Sequence, residues 1–142
     1  MNTATIASTQ PSTNRALHIG LWVAQGLLAF AFLAAGVMKL TTPIEQLAES
    51  MPWIEGALGS LVRFIGLAEV AGAIGLIAPA ATRIKPQLTA FAALGLLTVM
   101  VLAALLHATR GEFAALPPSL VLGSLAAFVA WGRSKGAPIE AR

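Results

Sequence analysis

The chain has 142 residues, of which 57% are hydrophobic and only 11% charged, whereas ordinary soluble domains carry about 25% charged residues. This composition, with a mean hydropathy of +0.80, predicts an integral membrane protein and excludes a separate soluble catalytic domain. The net charge is +3, but the basic residues are scattered, which argues against a nucleic-acid-binding surface. Cysteine is absent, which excludes disulfide exchange, thiolate metal sites and cysteine-ligated iron–sulfur clusters.

The N-terminal segment, residues 1–15, is rich in Ser, Thr and Ala and shows no apolar period, which predicts a disordered tail. A membrane domain over residues 16–133 follows, and residues 134–142 form a C-terminal cytoplasmic tail. The first apolar segment is too long for the h-region of a signal peptide, so we expect it to be retained. Each span needs about 20 apolar residues, and the predicted spans are 16–40, 60–79, 88–107 and 116–131.

The first loop contains a predicted short helix. Thr42, Pro43 and Glu45 form the pattern of a capping box with proline at the first helical position. Apolar residues then recur with helical spacing until Pro52, so the helix is amphipathic and we expect it to lie on the outer membrane surface and cover the mouth of the bundle. These residues are Ile44, Leu47, Ala48 and Met51.

The distribution of Lys and Arg predicts the topology. Six basic residues belong to the N-terminal tail, the second loop and the C-terminal tail, so these segments share one side of the membrane: Arg15, Arg83, Lys85, Arg133, Lys135 and Arg142. Positively charged loops stay in the cytoplasm. The fold is therefore predicted to be an all-α, integral membrane four-helix bundle with both termini in the cytoplasm.

Glu69 is the first candidate functional residue, because it lies alone in an uncharged apolar run inside the second span. Carboxyl groups at bilayer depth cost several kcal/mol, usually face the bundle interior, and usually have a partner. Arg63 is a poor partner because it lies six residues away on the same helix, off the face that Glu69 occupies. Whether Lys39 pairs with Glu69, or Glu69 is protonated, stays open from the sequence.

Other polar residues collect at the outer ends of the spans. Together with Glu69 they form the predicted ligand-binding set: Lys39, Arg63, His107, Arg110 and Glu112. Interfacial anchoring is the alternative role for the basic residues, and capping of the last helical turn is the alternative for His107. Gln25 is expected to form an interhelical hydrogen bond.

Several chemistries are excluded by residue type and position. His18 and His107 belong to opposite sides of the membrane and cannot ligate one haem iron. The sequence contains no metal-ligand cluster, P-loop or nucleophile–base set. We therefore assign no catalytic residue and no metal, and whether the chain belongs to an enzyme stays open.

Four segments carry a family resemblance. They are Ala35–Leu40 at the end of the first span, Gly66–Leu76 around Glu69, His107 with the following Arg110-Gly111-Glu112, and Trp131-Gly132-Arg133. In this order they resemble the DoxX-like family of small bacterial four-helix membrane proteins, over residues 16–133. The resemblance implies the fold, and among the residues above it covers Lys39, Glu69, His107, Arg110 and Glu112.

The activity that the resemblance implies is limited, because fold does not determine function. Relatives are linked to quinone-coupled thiosulfate oxidation and membrane oxidoreductase complexes, and others look like assembly factors. We therefore consider three functions. The chain is expected to be an auxiliary, non-catalytic subunit that binds a quinone or lipid near Glu69. The alternatives are a small proton-coupled transporter that uses Glu69, and an assembly or scaffold factor. A quinone is the cofactor suggested, and the expected partners are the lipid bilayer, a membrane protein or a second copy.

Overall fold

The computed structural model describes residues 15–54 and 58–142. This part of the chain contains four long helices and one short one, and the all-α prediction is confirmed. The predicted N-terminal tail lies almost wholly outside the described residues. The helices are α1 (Arg15–Thr41), α2 (Ile44–Ser50), α3 (Leu58–Thr82), α4 (Gln87–Thr109) and α5 (Leu116–Trp131), with a 3-10 turn at Phe113–Ala115 and a π turn at Gly132–Gly136.

The four long helices, with the two turns extending α5, are long and apolar enough to cross a membrane, so the protein is a multi-pass membrane protein. Their outer surfaces carry large exposed apolar side chains such as Phe30, Phe64 and Phe91, which suit contact with lipid tails. In the interior, Leu21, Leu28 and Phe32 of α1 pack with apolar residues of the other three long helices.

The long helices form a closed ring in which α1 and α4 each contact both α3 and α5. Neighbouring helices run in opposite directions, so each face of the bundle combines the starts of some helices with the ends of others. The loop face carries the end of α1, helix α2, the start of α3, the end of α4 and the start of α5. The terminal face carries the start of α1, the end of α3, the start of α4 and the end of α5.

Helix α3 continues beyond Pro79, where the sequence predicted its end, to Thr82. Proline lacks the N–H that would bond to the carbonyl of the residue four positions earlier. That loss falls in the last helical turns, where the Thr82 hydroxyl donates a hydrogen bond of 2.7 Å to the Ala78 carbonyl. The helix therefore loses one bond and does not stop.

The capping predicted for α2 is wrong, although the helix itself is present. Pro43 occupies the N-cap with φ −54° and ψ 143°, and no side chain caps the helix. Its extended ψ moves the helix start to Ile44, so Thr42 lies one residue too early to cap. The apolar stripe also differs from the prediction, since Leu47 is buried against Ile54 and Val62 and does not form a free membrane-binding face.

Helices α1 and α3 touch along their backbones near the loop face. A Cβ atom added to Gly36 would lie 2.7 Å from the carbonyl oxygen of Gly66, and one added to Gly66 would lie 2.9 Å from the Cβ of Lys39. Only glycine permits this approach, because Cβ contacts under 3.0 Å are essentially never seen. The contact places Lys39 directly opposite the α3 turn that carries Glu69.

Candidate functional site

Lys39 and Glu69 form an ion pair across the α1–α3 contact. The Lys39 Nζ atom donates to both carboxylate oxygens of Glu69, at 3.0 Å to Oε1 and 2.8 Å to Oε2. The Glu69 side chain is 3% exposed and that of Lys39 is 13% exposed. The question left open by the sequence is thus answered in favour of pairing, and Lys39 is the more accessible partner.

Arg63 does not pair with Glu69 and instead binds backbone carbonyls at the end of α1. Its guanidinium donates to the backbone carbonyl of Lys39 and, at 2.7 Å, to that of Thr42. The last four carbonyls of a helix lack intrahelical partners. Arg63 therefore satisfies the end of α1, holds it against α3, and fixes the backbone from which Lys39 projects.

A cavity of about 590 Å³ lies beside the ion pair in the loop-face half of the bundle. Its walls come from all four long helices, and the segment that follows α2 contributes Met51 and Trp53. Most lining side chains are apolar, and its polar groups include those of Lys39, Glu69 and His107. Ligand cavities of about 300–1,000 Å³ with few polar groups are typical of small-molecule sites.

The cavity wall continues onto the lipid-facing surface. Leu61 and Phe64 of α3 and Leu102 of α4 line the cavity, and all three are exposed on the outside of the bundle. The cavity therefore reaches the part of the bundle surface that faces lipid.

A second polar group closes the end of α4. The Nδ1 atom of His107 lies 2.7 Å from one carboxylate oxygen of Glu112, and the Nε atom of Arg110 donates to the other at 2.7 Å. The hydrogen bonds from Arg110 and then His107 lower the pKa of Glu112 below its ordinary value of 4.5. With Glu112 ionised, His107 Nδ1 carries the hydrogen, and its Nε2 atom is the nitrogen left for a ligand.

A third polar cluster lies at the terminal face and surrounds Arg133. The Arg133 side chain donates from Nε to the Gln25 amide oxygen at 2.5 Å and from Nη1 to the Ala137 carbonyl at 3.2 Å. His18 Nδ1 lies 3.2 Å from Nη1, and the Trp22 ring lies 5.3 Å from the guanidinium carbon. The interhelical role predicted for Gln25 is confirmed, since its amide also donates to the Leu76 carbonyl at 2.5 Å.

The family assignment rests on a match between residues 23–129 and the model of the DoxX-like family. The chain belongs to the DoxX-like family. Neither a curated protein nor a solved structure matches it. In this DoxX-like protein the matched residues include the ion pair and the whole cavity lining.

The structure brings three of the six predicted ligand residues to one cavity in this DoxX-like protein, namely Lys39, Glu69 and His107. The other three lie outside its lining: Arg63 binds carbonyls of the first loop, and Arg110 and Glu112 form the exposed pair at the end of α4. Among residues 15–54 and 58–142, no group of three or more His, Cys, Asp or Glu side chains is placed to hold a metal ion.

Sequence reasoning missed three residues of the cavity lining and one buried charge. The three lining residues are Ser50, Trp53 and Ser119, and their only sequence signal was a polar or aromatic side chain in the first loop or near the start of a span. Arg133 was counted as a topology signal, although it is only 4% exposed. A glutamine in a span, two turns from a histidine on the same helix, was the available sign that a polar partner lies at the terminal face.

Proposed function

We propose that this DoxX-like protein is an auxiliary membrane subunit that binds a small amphipathic ligand, a quinone or a lipid, in the loop-face cavity. The observation that carries the proposal is the cavity itself, a largely apolar space of about 590 Å³ with a buried ion pair in its wall. Such a site matches a molecule with an apolar body and one polar head.

Lys39 is the group that we expect to recognise the polar head. An ammonium group has three N–H donors, and two of them point at the Glu69 oxygens. The third is available to a carbonyl or phosphate oxygen in the cavity. Glu69 then acts as a positioning residue, because its two carboxylate oxygens hold the ammonium group in place in an apolar wall.

His107 offers a second contact at the same end of the cavity. Its Nδ1 atom is engaged by Glu112, which orients the ring and leaves Nε2 for the ligand. A head group held between Lys39 and His107 would place its apolar body along α3 and α4, toward the lateral opening lined by Leu61 and Leu102.

The location of this site follows from the basic residues. We propose that the terminal face lies in the cytoplasm of a bacterial cell and that the cavity lies in the outer half of the cytoplasmic membrane, since six of the nine Lys and Arg residues belong to the terminal face and its tails.

Tryptophan fluorescence tests the proposal on the full chain in lipid nanodiscs. Trp53 lines the cavity, whereas Trp22 and Trp131 lie on the terminal face, so a variant with both of the latter changed to Phe reports on the cavity alone. Titration with a short-chain ubiquinone and, separately, with a lysophospholipid should quench or shift the Trp53 emission in a saturable way for the true ligand class.

Two variants decide whether the signal comes from this cavity. Lys39→Met should weaken binding by about ten- to 100-fold, because a hydrogen bond to a charged group contributes about 1.5–3 kcal/mol. Ala68→Phe should fill the cavity and abolish binding, while Ala71→Phe, at an exposed α3 position outside the lining, should not. Equal binding by all three variants would refute the site.

A further inference from the structure

We propose a second ligand site at the terminal face, in a groove between α4 and α5, that binds the phosphate headgroup of an anionic phospholipid. The site is separate from the loop-face cavity, and none of its residues contributes to the ion pair. Its basis is a buried cation that has no carboxylate partner among residues 15–54 and 58–142, next to a groove that suits a lipid molecule.

Arg133 is that cation. It is 4% exposed, and the groups around it are the Gln25 amide, the Ala137 carbonyl, the His18 ring and the Trp22 face. No carboxylate in the described part of the chain forms an ion pair with it. A buried charge is costly unless it is paired, so an anion is the partner that this environment lacks.

The hydrogen bonds of the cluster also leave donors in excess. The Nη2 atom of Arg133 is buried and has no hydrogen-bond partner in the part of the chain that the structure describes. Both ring nitrogens of His18 face donors, since Trp22 Nε1 donates to Nε2 at 3.1 Å and Arg133 Nη1 lies 3.2 Å from Nδ1. A neutral imidazole carries a hydrogen on one nitrogen and accepts only at the other. The cluster therefore requires an additional acceptor, which phosphate oxygens supply.

The adjoining groove has a volume of about 650 Å³, and Arg133 and Lys135 line it at the terminal face. Helix α4 begins beside it at Gln87, with Pro86 at the N-cap and no side-chain cap. The Leu88 and Thr89 N–H groups of this first turn already donate to the Lys85 and Pro86 carbonyls. The anion-binding groups at this end of the groove are therefore its two cations.

The rest of the groove is apolar and extends along the bundle. Its α4 wall runs from Gln87 through Phe91 and Leu94 to Leu97, a distance of about 15 Å along the helix axis. Phe91 and Leu94 are exposed to the bilayer. An acyl chain fits this wall and a free phosphate ion gains nothing from it, so the groove favours a lipid over a soluble anion.

The C-terminal segment covers the buried guanidinium. Ala137 accepts a hydrogen bond from Arg133, and Pro138 and Ile139 form part of the groove wall. A headgroup in the groove contacts Lys135 and lies beside Arg133, which lines the same end of the groove.

Thermal unfolding of the delipidated full chain in detergent tests the site. Phosphatidylglycerol should raise the midpoint saturably, whereas phosphatidylcholine and inorganic phosphate should not. Lys135→Gln should weaken the phosphatidylglycerol effect about fivefold, the factor expected for one basic residue at an anionic lipid surface. Lys85→Gln removes the same charge from the same face outside the groove and should leave the affinity unchanged.

The apolar part of the site has its own pair of variants. Ala127→Phe places a ring in the groove and should abolish lipid binding, while Val121→Phe, on exposed α5 surface outside the lining, should not. Arg133→Gln should also abolish it, and if that variant does not fold, the Lys135 and Ala127 variants still decide. Equal stabilisation by both lipids, saturation by phosphate alone, or equal losses in Lys85→Gln and Lys135→Gln would each overturn the proposal.

Discussion

The contact between Lys39 and Glu69 predicts an unequal response to removal of its two members. Lys39→Met leaves a carboxylate whose side chain is 3% exposed, and Glu69→Gln leaves an ammonium group on a side chain that is 13% exposed at the cavity. The long lysine stem lets its charge move toward the cavity opening, whereas the shorter glutamate has no such freedom. Loss of the lysine is therefore expected to be the more damaging change.

The expected losses in the free energy of unfolding follow from the burial of each partner. Breaking a buried pair by removing one member typically costs about 3–5 kcal/mol, and we expect Lys39→Met to fall in this range. Glu69→Gln should cost less, about 1–3 kcal/mol, the usual penalty of an unsatisfied group. The double variant carries no stranded charge, so it should be more stable than Lys39→Met alone, with a coupling free energy of about 2 kcal/mol.

The assay measures unfolding by SDS in mixed micelles through the helical circular dichroism signal. It compares four proteins: the unchanged chain, Lys39→Met, Glu69→Gln and the double variant. A coupling free energy below about 0.5 kcal/mol would show that the two charges act independently. A larger loss of unfolding free energy for Glu69→Gln than for Lys39→Met would contradict the argument from burial. It would mean that leaving the more accessible Lys39 unpaired costs more than leaving the buried Glu69 unpaired.

Three further changes probe the contacts that support the site. Gly36→Ala should destabilise the bundle by about 1–3 kcal/mol, since its Cβ would lie 2.7 Å from the backbone of α3. The control is Gly26→Ala on the same helix, whose Cβ meets nothing within 4 Å and which should be neutral or stabilising in the same SDS assay. Arg63→Gln should cost about 1–3 kcal/mol and increase amide exchange at the end of α1. Glu112 has a lowered pKa, so its contribution to thermal stability is present above pH 4.5 and lost as the pH falls below that; Glu112→Gln should remove this pH dependence, and an unchanged profile would contradict it.

The fold was predictable because lipid imposes a simple rule on the sequence. Every backbone polar group in the bilayer must bond within its own helix, so apolar length alone locates the spans. The predicted span 116–131 and helix α5, Leu116–Trp131, have the same bounds. Helix α3 contains the whole predicted span 60–79 and runs three residues past Pro79, because a proline in the last turns removes only one helical hydrogen bond.

The site was predictable only in part, because its pairing depends on helix rotation. Lys39 and Glu69 are 30 residues apart, and no periodicity in either span specifies which faces meet. The contact of Gly36 with Gly66 fixes that rotation, yet each glycine resembles many others in a sequence with 13 of them. Close approach of two backbones is a property of the pair and is invisible in either helix alone.

Arg133 was missed for a related reason. A basic residue at a span end is ordinarily an interfacial anchor, and its sequence position is the same whether its side chain faces water or the core. The π turn that follows α5, at Gly132–Gly136, directs Arg133 inward. That local departure from α-helical geometry could not be anticipated from residue types.

The two cavities differ in net charge, and this difference separates the ligands that suit them. The loop-face pair is neutral overall, and an anionic head beside it would meet the Glu69 carboxylate as well as the Lys39 ammonium group. A neutral acceptor such as a quinone carbonyl avoids that repulsion, so it suits this cavity better than a lipid phosphate does. Arg133 has no such partner in the described chain, and its groove suits an anion. The same pairing argues against a transporter that uses Glu69, because both carboxylate oxygens already accept hydrogen bonds from Lys39 Nζ, at 3.0 and 2.8 Å, and a transported ion would have to displace that ammonium group.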